Sequence, residues 1–295
     1  MKKTTLITTN RRITMKRNNV YAIGSVLAIG ALLLSGCSGS SASEDVADDC
    51  VAESSFTTTE DGVVTVALTN TPPYSLEEGN EISGIDGDLV KEFAEANCLG
   101  VEYAPYTYAT AIPAIEQGRA DISTGGFYRT ADRADVVTLS TPLYLDELSV
   151  YTEEGLSTVD ELSGLTIGTV EGYLWVDDLN NLEGVETRVY SDSLALAQDL
   201  DAGRIDAALD GYGAATVSTQ DQDYEINVLE NDDRVSSTNQ PSQASVLIDP
   251  SNSELEAAFN EFVEEQRDNG RLIEILADYQ LPESAAEVGD ERVIE

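Results

Sequence analysis

The sequence contains no histidine. That removes the side chain most often used as a general base near neutral pH and as a ligand for transition metals. Cysteine occurs only at positions 37, 50 and 98 and never as Cys-x-x-Cys. No zinc or redox ligand set can be assembled from these residues, and no cofactor is expected. Basic residues are scarce: 16 Lys and Arg stand against 55 Asp and Glu, a formal charge of −39. Six of the 16 precede Cys37 and no acid does, so a chain beginning at Cys37 would hold ten basic residues against 55 acidic ones, a charge of −45. Lys91 would be its only lysine. A field of that sign opposes nucleic acid and anionic membrane as partners of the protein surface. Its ordinary reading is a surface tuned for solubility; the alternative is steering of cationic ligands.

Long apolar runs are also lacking. The mostly apolar stretch Tyr21–Leu34 has 14 residues, short of the roughly 20 needed to span a bilayer. Lys16 and Arg17 precede it and Leu34-Ser35-Gly36-Cys37 follows. A basic start, a short apolar core and small residues before a cut site describe a secretory signal. The last four residues resemble the bacterial lipobox, whose Cys is acylated. The expectation is a lipoprotein signal over 1–36, lipidation at Cys37, and a Ser-, Asp- and Ala-rich flexible tether over 37–56 that anchors an extracytoplasmic protein to the cell membrane. Met15 is an alternative start. Cys50 and Cys98 then form an even pair in an oxidising compartment, which points to a disulfide.

With 41% hydrophobic residues, the remaining chain can build real cores. Val63–Leu68 reads as a buried strand, and the Pro72-Pro73-Tyr74 segment as a loop. Asp86 reads as the N-cap of a helix carrying Leu89, Val90, Phe93 and Ala94. Thr110 reads as the cap of a short helix through Ile115. Ala120–Ser123 reads as a strand running into Gly125-Gly126 at its end. The strand-helix-strand pattern recurs over 165–209, with Gly172 at a strand end. A long amphipathic helix is expected over 250–266 and a last helix over 271–279, with a loose acidic tail from Pro282. Alternation of this kind argues an α/β protein, and its repetition argues two lobes with a cleft between them. Ligands in such sheets sit beyond the carboxyl ends of strands.

Four segments share an order and spacing. They are Pro72-Pro73-Tyr74 with Gly84-Ile85-Asp86-Gly87-Asp88-Leu89; Ile112 to Ile122 leading into Gly126, Thr130, Asp132, Arg133 and Ser140-Thr141-Pro142-Leu143-Tyr144; Glu161 to Gly168 with Glu171-Gly172; and Gly203-Arg204-Ile205-Asp206-Ala207. Together they resemble the family 3 extracellular solute-binding proteins of polar amino-acid ABC importers. The resemblance runs from about residue 62 to residue 281. It implies the periplasmic binding protein type II fold, two mixed-sheet α/β lobes joined by two hinge strands. Lobe 1 falls on 57–144 and 245–281, lobe 2 on 145–244, and an acidic tail on 282–295. It also implies a monomer that captures a small amino-acid-like ligand and delivers it to an ABC permease in the membrane.

Carried over position by position, the resemblance makes Arg133 the clamp for a ligand carboxylate, since a guanidinium fork meets that group bidentately. Gly125 and Gly126 are expected to offer backbone N–H groups to the ligand, and Tyr74 and Tyr108 to wall the site. Tyr128 stands where the family has Ser or Thr, and Gly172 is followed by Tyr173-Leu174-Trp175 rather than small hydroxyl residues. The family's ammonium-binding Asp falls on Gly211, leaving Asp210 and Glu171 as candidates. Phe127, Trp175 and Tyr212 add to an unusually aromatic set. Ectoine-binding members resemble this arrangement at Tyr108 and Tyr128, so an ectoine- or betaine-like solute is the alternative to an amino acid. A sensory input protein is a further alternative. An enzyme is disfavoured, because no histidine and no free thiol remain.

Overall fold

The structure, a computed structural model, describes residues 50–294. The leader 1–36, the lipid site at Cys37 and residues 38–49 lie outside the described residues.

Thirteen strands and eight α-helices are described. β1 (Val63–Thr69) is followed by the short hairpin β2 (Leu76–Glu78) and β3 (Glu81–Ser83), then α1 (Ile85–Ala96), β4 (Gly100–Tyr106), α2 (Tyr108–Glu116), β5 (Ile122–Tyr128) and α3 (Ala131–Ala134). Next come β6 (Thr138–Leu139), β7 (Leu145–Asp146), β8 (Leu148–Thr152), β9 (Thr166–Val170), α4 (Val176–Asn181), β10 (Glu186–Tyr190), α5 (Ser193–Asp201), β11 (Ala207–Gly211) and α6 (Tyr212–Ser218). β12 (Glu225–Val228), β13 (Ser242–Ile248), α7 (Ser253–Asp268) and α8 (Arg271–Asp278) complete the order.

Two sheets result. The first runs β4-β1-β5-β13-β6, with β7 also on β13; the second runs β10-β9-β11-β8-β12. Each has three parallel strands and an antiparallel return strand, β13 in the first and β8 in the second. The parallel cores follow from strands with apolar residues buried on both faces: in β1, Val64, Val66 and Leu68 on one and Ala67 on the other. The chain passes to the second sheet through Glu147, between β7 and β8, and returns between β12 and β13. On the first sheet, α1 and α7 pack Phe93 edge-on to Phe259 and Phe262, with ring centroids 5.1 and 5.6 Å apart. A second apolar cluster contains Phe127 and Leu247 from the first sheet and Val170 and Ala208 from the second, so the two halves touch.

Several expectations need correcting. β5 does not stop before the glycine pair but runs through it to Tyr128. Gly84, not Asp86, is the N-cap of α1, and Asp86 is wholly buried within its first turn. Thr107 caps α2, with Thr110 as the partner of its capping box, which makes Tyr108 the first helical residue. The end of the expected tether is fastened: the Glu53 and Ser54 N–H groups donate to Ala96 O and Asn97 Oδ1, and Phe56 stacks on Phe93 at 5.3 Å. The acidic tail is not loose either. Ile294 exchanges backbone hydrogen bonds of 2.9 Å with Arg129 and Ala131, and the buried Gln243 amide donates to Val288 O and Asp290 O. Composition misleads there because the tail's partners, Arg129 for Glu291 and Gln243 for its backbone, are distant in sequence. The Cys50–Cys98 disulfide is present, with Cα atoms 5.8 Å apart.

Candidate functional site

The candidate site is a cavity between the two halves. From the first sheet side it is lined by Tyr74, Tyr108, Gly126, Tyr128 and Arg133; from the second by Tyr173, Leu174, Trp175 and Gly211; and Asp146 enters from the crossing.

Local structure presents each of these groups. Thr130 caps the four-residue helix α3, its hydroxyl accepting from the Arg133 N–H at 3.2 Å, and this turns Arg133 inward. Arg133 is 6% exposed, and its guanidinium donates from Nη1 to Tyr128 O at 2.7 Å and lies 5.3 Å from the Phe127 ring centroid. No carboxylate of the described residues pairs with it. Burial lowers its pKa to about 10, so it stays charged at neutral pH.

The rings form the walls. Tyr108 meets Tyr173 edge-on across the halves at 4.9 Å and leans on Phe127 at 4.7 Å, and its hydroxyl donates to Gly125 O. Tyr74 stacks on Tyr144 at 5.5 Å. Trp175, 2% exposed, anchors its N–H on Thr169 Oγ1 at 2.8 Å and lies edge-on to Tyr173 at 4.8 Å. Tyr128 donates its hydroxyl to Asp146 Oδ2 at 2.6 Å.

Three carboxylates lie buried around this space. Asp86 accepts from the Gly125 and Gly126 N–H groups at 2.9 and 2.8 Å and from the Tyr144 hydroxyl at 2.8 Å; burial outweighs these donors and lifts its pKa to about 6. Asp210 accepts from the Tyr173 hydroxyl at 3.0 Å and the Gly211 N–H at 2.8 Å, while its Oδ2 is buried with no partner; burial lifts its pKa to about 7. Burial also raises Asp146, against the Tyr128 hydrogen bond.

Of the residues expected from sequence, Tyr74, Tyr108, Gly126, Tyr128, Arg133, Tyr173 and Trp175 come together in the cavity wall. The others do not. The Gly125 and Gly126 N–H groups are occupied by Asp86, so they are not free for a ligand. These glycines serve packing instead: at Gly126, φ is +65° and a Cβ would come within 2.8 Å of the Tyr74 ring. Phe127 is wholly buried beneath Tyr108 and Arg133. Glu171 is exposed and outside the lining. Gly172 lies against Tyr108 and Ala109, and lines an adjoining, more open hollow with Thr130, Arg133 and Ile294. Asp210 buttresses Tyr173 and is not part of the wall. Tyr212 is 41% exposed. The lining residue that sequence reasoning missed altogether is Asp146.

Two mixed-sheet α/β halves, joined at two crossings and facing each other across a buried cavity, define a two-lobed protein of the periplasmic binding protein type II fold. A crystal structure of the substrate binding protein of an amino acid ABC transporter superposes with a TM-score of 0.66, covering 74% of this chain and 99% of that one at 24% identity. The profile of the bacterial extracellular solute-binding proteins, family 3, matches residues 64–282, and the chain belongs to that family. Similar curated proteins include a probable histidine-binding protein of Campylobacter jejuni, 23% identical over 141 residues, which are 47% of this chain and 55% of that protein. An L-cystine-binding protein of Escherichia coli strain K12 is 27% identical over 159 residues, 51% of this chain and 59% of that protein. The chain thus spans a little over half the length of these two relatives. Among the described residues, no helix is long and apolar enough to cross a membrane.

Proposed function

We propose that the protein is the binding component of an ABC importer and captures a small, carboxylate-bearing, amino-acid-like solute by closure of its two lobes. Lobe 1 is 57–144 with 245–281, lobe 2 is 145–244, and Cys37 carries the lipid that holds the protein at the membrane outside the cytoplasm. The observation that carries this reading is Arg133. A buried guanidinium without a counter-charge is costly, and this one faces a cavity walled by aromatic rings. A ligand carboxylate supplies the missing charge, and the rings pack against the ligand body. Contacts from both halves make the closed form the one that ligand favours. The density of rings favours an ectoine- or betaine-like solute as a second reading.

Calorimetry on wild type and R133A tests the clamp. The variant is expected to bind carboxylate ligands about 2–5 kcal/mol more weakly while keeping its circular dichroism. Retained affinity removes Arg133 from the site. Small-angle scattering tests closure: the radius of gyration should fall on adding a ligand that binds, and an unchanged radius with a tightly bound ligand rules closure out.

A further inference from the structure

The floor of the cavity is Gly211. Its φ of −59° and ψ of 144° are open to any residue, so backbone conformation does not call for glycine here. Space does. A Cβ at this position would collide with Asp146 Oδ2 and lie 3.3 Å from the hydroxyl oxygens of Tyr128 and Tyr74. Three oxygens therefore converge over the bare backbone of lobe 2, all carried by residues from outside its strand.

Two hydroxyls can donate to the carboxylate in this cluster, but neither brings positive charge. Asp146 is 5% exposed and pairs with no cation of the described residues. It receives one strong hydrogen bond, from Tyr128 at 2.6 Å, and a long one of 3.4 Å from the Gly213 N–H. The Tyr74 hydroxyl, buried beside Asp146, makes no hydrogen bond of good geometry, although its proton can turn toward that carboxylate. A buried carboxylate without a counter-charge calls for a positively charged group, and its open lone pairs, with those of the two hydroxyls, favour one that carries N–H. A quaternary ammonium brings charge but no N–H, and would leave those lone pairs without a donor. Asp210 is bonded to the Tyr173 hydroxyl and is not part of the cavity lining.

We propose that Asp146, reaching over Gly211 from the inter-lobe crossing, binds the cationic group of the ligand and, with Tyr74, selects cations that bear N–H over fully alkylated ones. This rests on the reading of Arg133 as the carboxylate clamp and specifies the other end of the same ligand.

The probes are L-histidine, L-cystine, L-arginine, L-glutamine and glycine betaine, titrated calorimetrically into wild type, D146N, R133A, D146S and D146S/G211D. Wild type should bind at least one of the four amino acids and not glycine betaine. D146N should weaken that binding by about 30-fold or more. D146S should lose it, and D146S/G211D should recover at least about tenfold, because the second change returns a carboxylate to the vacated space. Without ligand, D146N should melt no lower than wild type, since it removes a buried unpaired charge; a lower melting temperature marks Asp146 as structural and overturns the proposal. Full affinity in D146N alongside loss in R133A overturns Asp146 and leaves the clamp standing. Betaine binding as tightly as an amino acid overturns the N–H selection. Full affinity in R133A removes the carboxylate reading and this proposal with it; no amino acid binding to wild type overturns this proposal.

Discussion

Asp210 is wholly buried, and its Oδ2 meets no donor. Burial raises its pKa from 3.8 to about 7, so over that interval the folded chain holds a proton that the unfolded chain has released. Its stabilising contribution is complete below pH 3.8 and is lost as pH rises through about 7. Asp86, raised to about 6 by the same cause, acts in the same direction. The unliganded protein should therefore melt lower at pH 8 than at pH 5. D210N keeps an oxygen for Tyr173 and Gly211 and removes the titration, so its advantage over wild type should grow by on the order of 1–2 kcal/mol between those pH values. Melting curves at both pH values check this; a constant difference would sink it. Residues of this kind divide by legibility. Arg133 was readable because Thr130 and Asp132 set it in a pattern. Asp146 was not, since one carboxylate among 55 acidic residues carries no local signature. Gly125 and Gly126 were visible, but a sequence does not say whether a bare N–H faces a ligand or, as here, Asp86.

Among the elements, α1 shows how the segment before β1 is held. The helix buries Leu89, Val90, Phe93 and Ala94, and beyond its end Cys98 bridges back to Cys50. The bridge closes a separation of 48 residues, for which the chain-entropy account gives about 4 kcal/mol, an upper figure if the reduced chain retains structure. Neither cysteine lines the cavity. The double change C50A/C98A should thus lower the urea midpoint while leaving ligand affinity unaltered; a large loss of affinity would mean that the bridge acts on the site. Elements with an apolar period, such as α7, were legible from sequence. The extension of β5 through two glycines was not, because it is pairing on either side of them, to β1 up to Thr124 and to β13 at Phe127 and Tyr128, that carries the strand across. The tail from Pro282 was missed for the related reason that Gln243 and the backbone at Arg129 hold it.

At the scale of the whole molecule, two successive strand-helix-strand units were enough to expect two lobes, since each buries its own parallel core. What the lobes face is set by charge as much as by packing. Residues 50–294 include ten basic side chains. Seven of them, Lys91 and Arg129, Arg188, Arg204, Arg234, Arg267 and Arg271, already sit in ion pairs. Arg133 is in the cavity, and the Arg292 guanidinium donates to Val288 O and Pro241 O. Few cations are left to offset the acidic excess, so most surface carboxylates face one another through water. Their mutual repulsion favours the expanded chain, and salt weakens it: the screening length falls from about 10 Å at 0.1 M to about 3 Å at 1 M. Salt also weakens these nine ion pairs, but exposed pairs contribute only about 0–1 kcal/mol each, and the excess of acid is several times larger than their number. Raising NaCl from 0.1 to 1 M should therefore increase the melting temperature of the unliganded protein, by roughly 2–4 °C for each kcal/mol of repulsion removed. Calorimetric scans across that range decide it: a melting temperature that falls with salt means that the ion pairs, not the repulsion, dominate the surface.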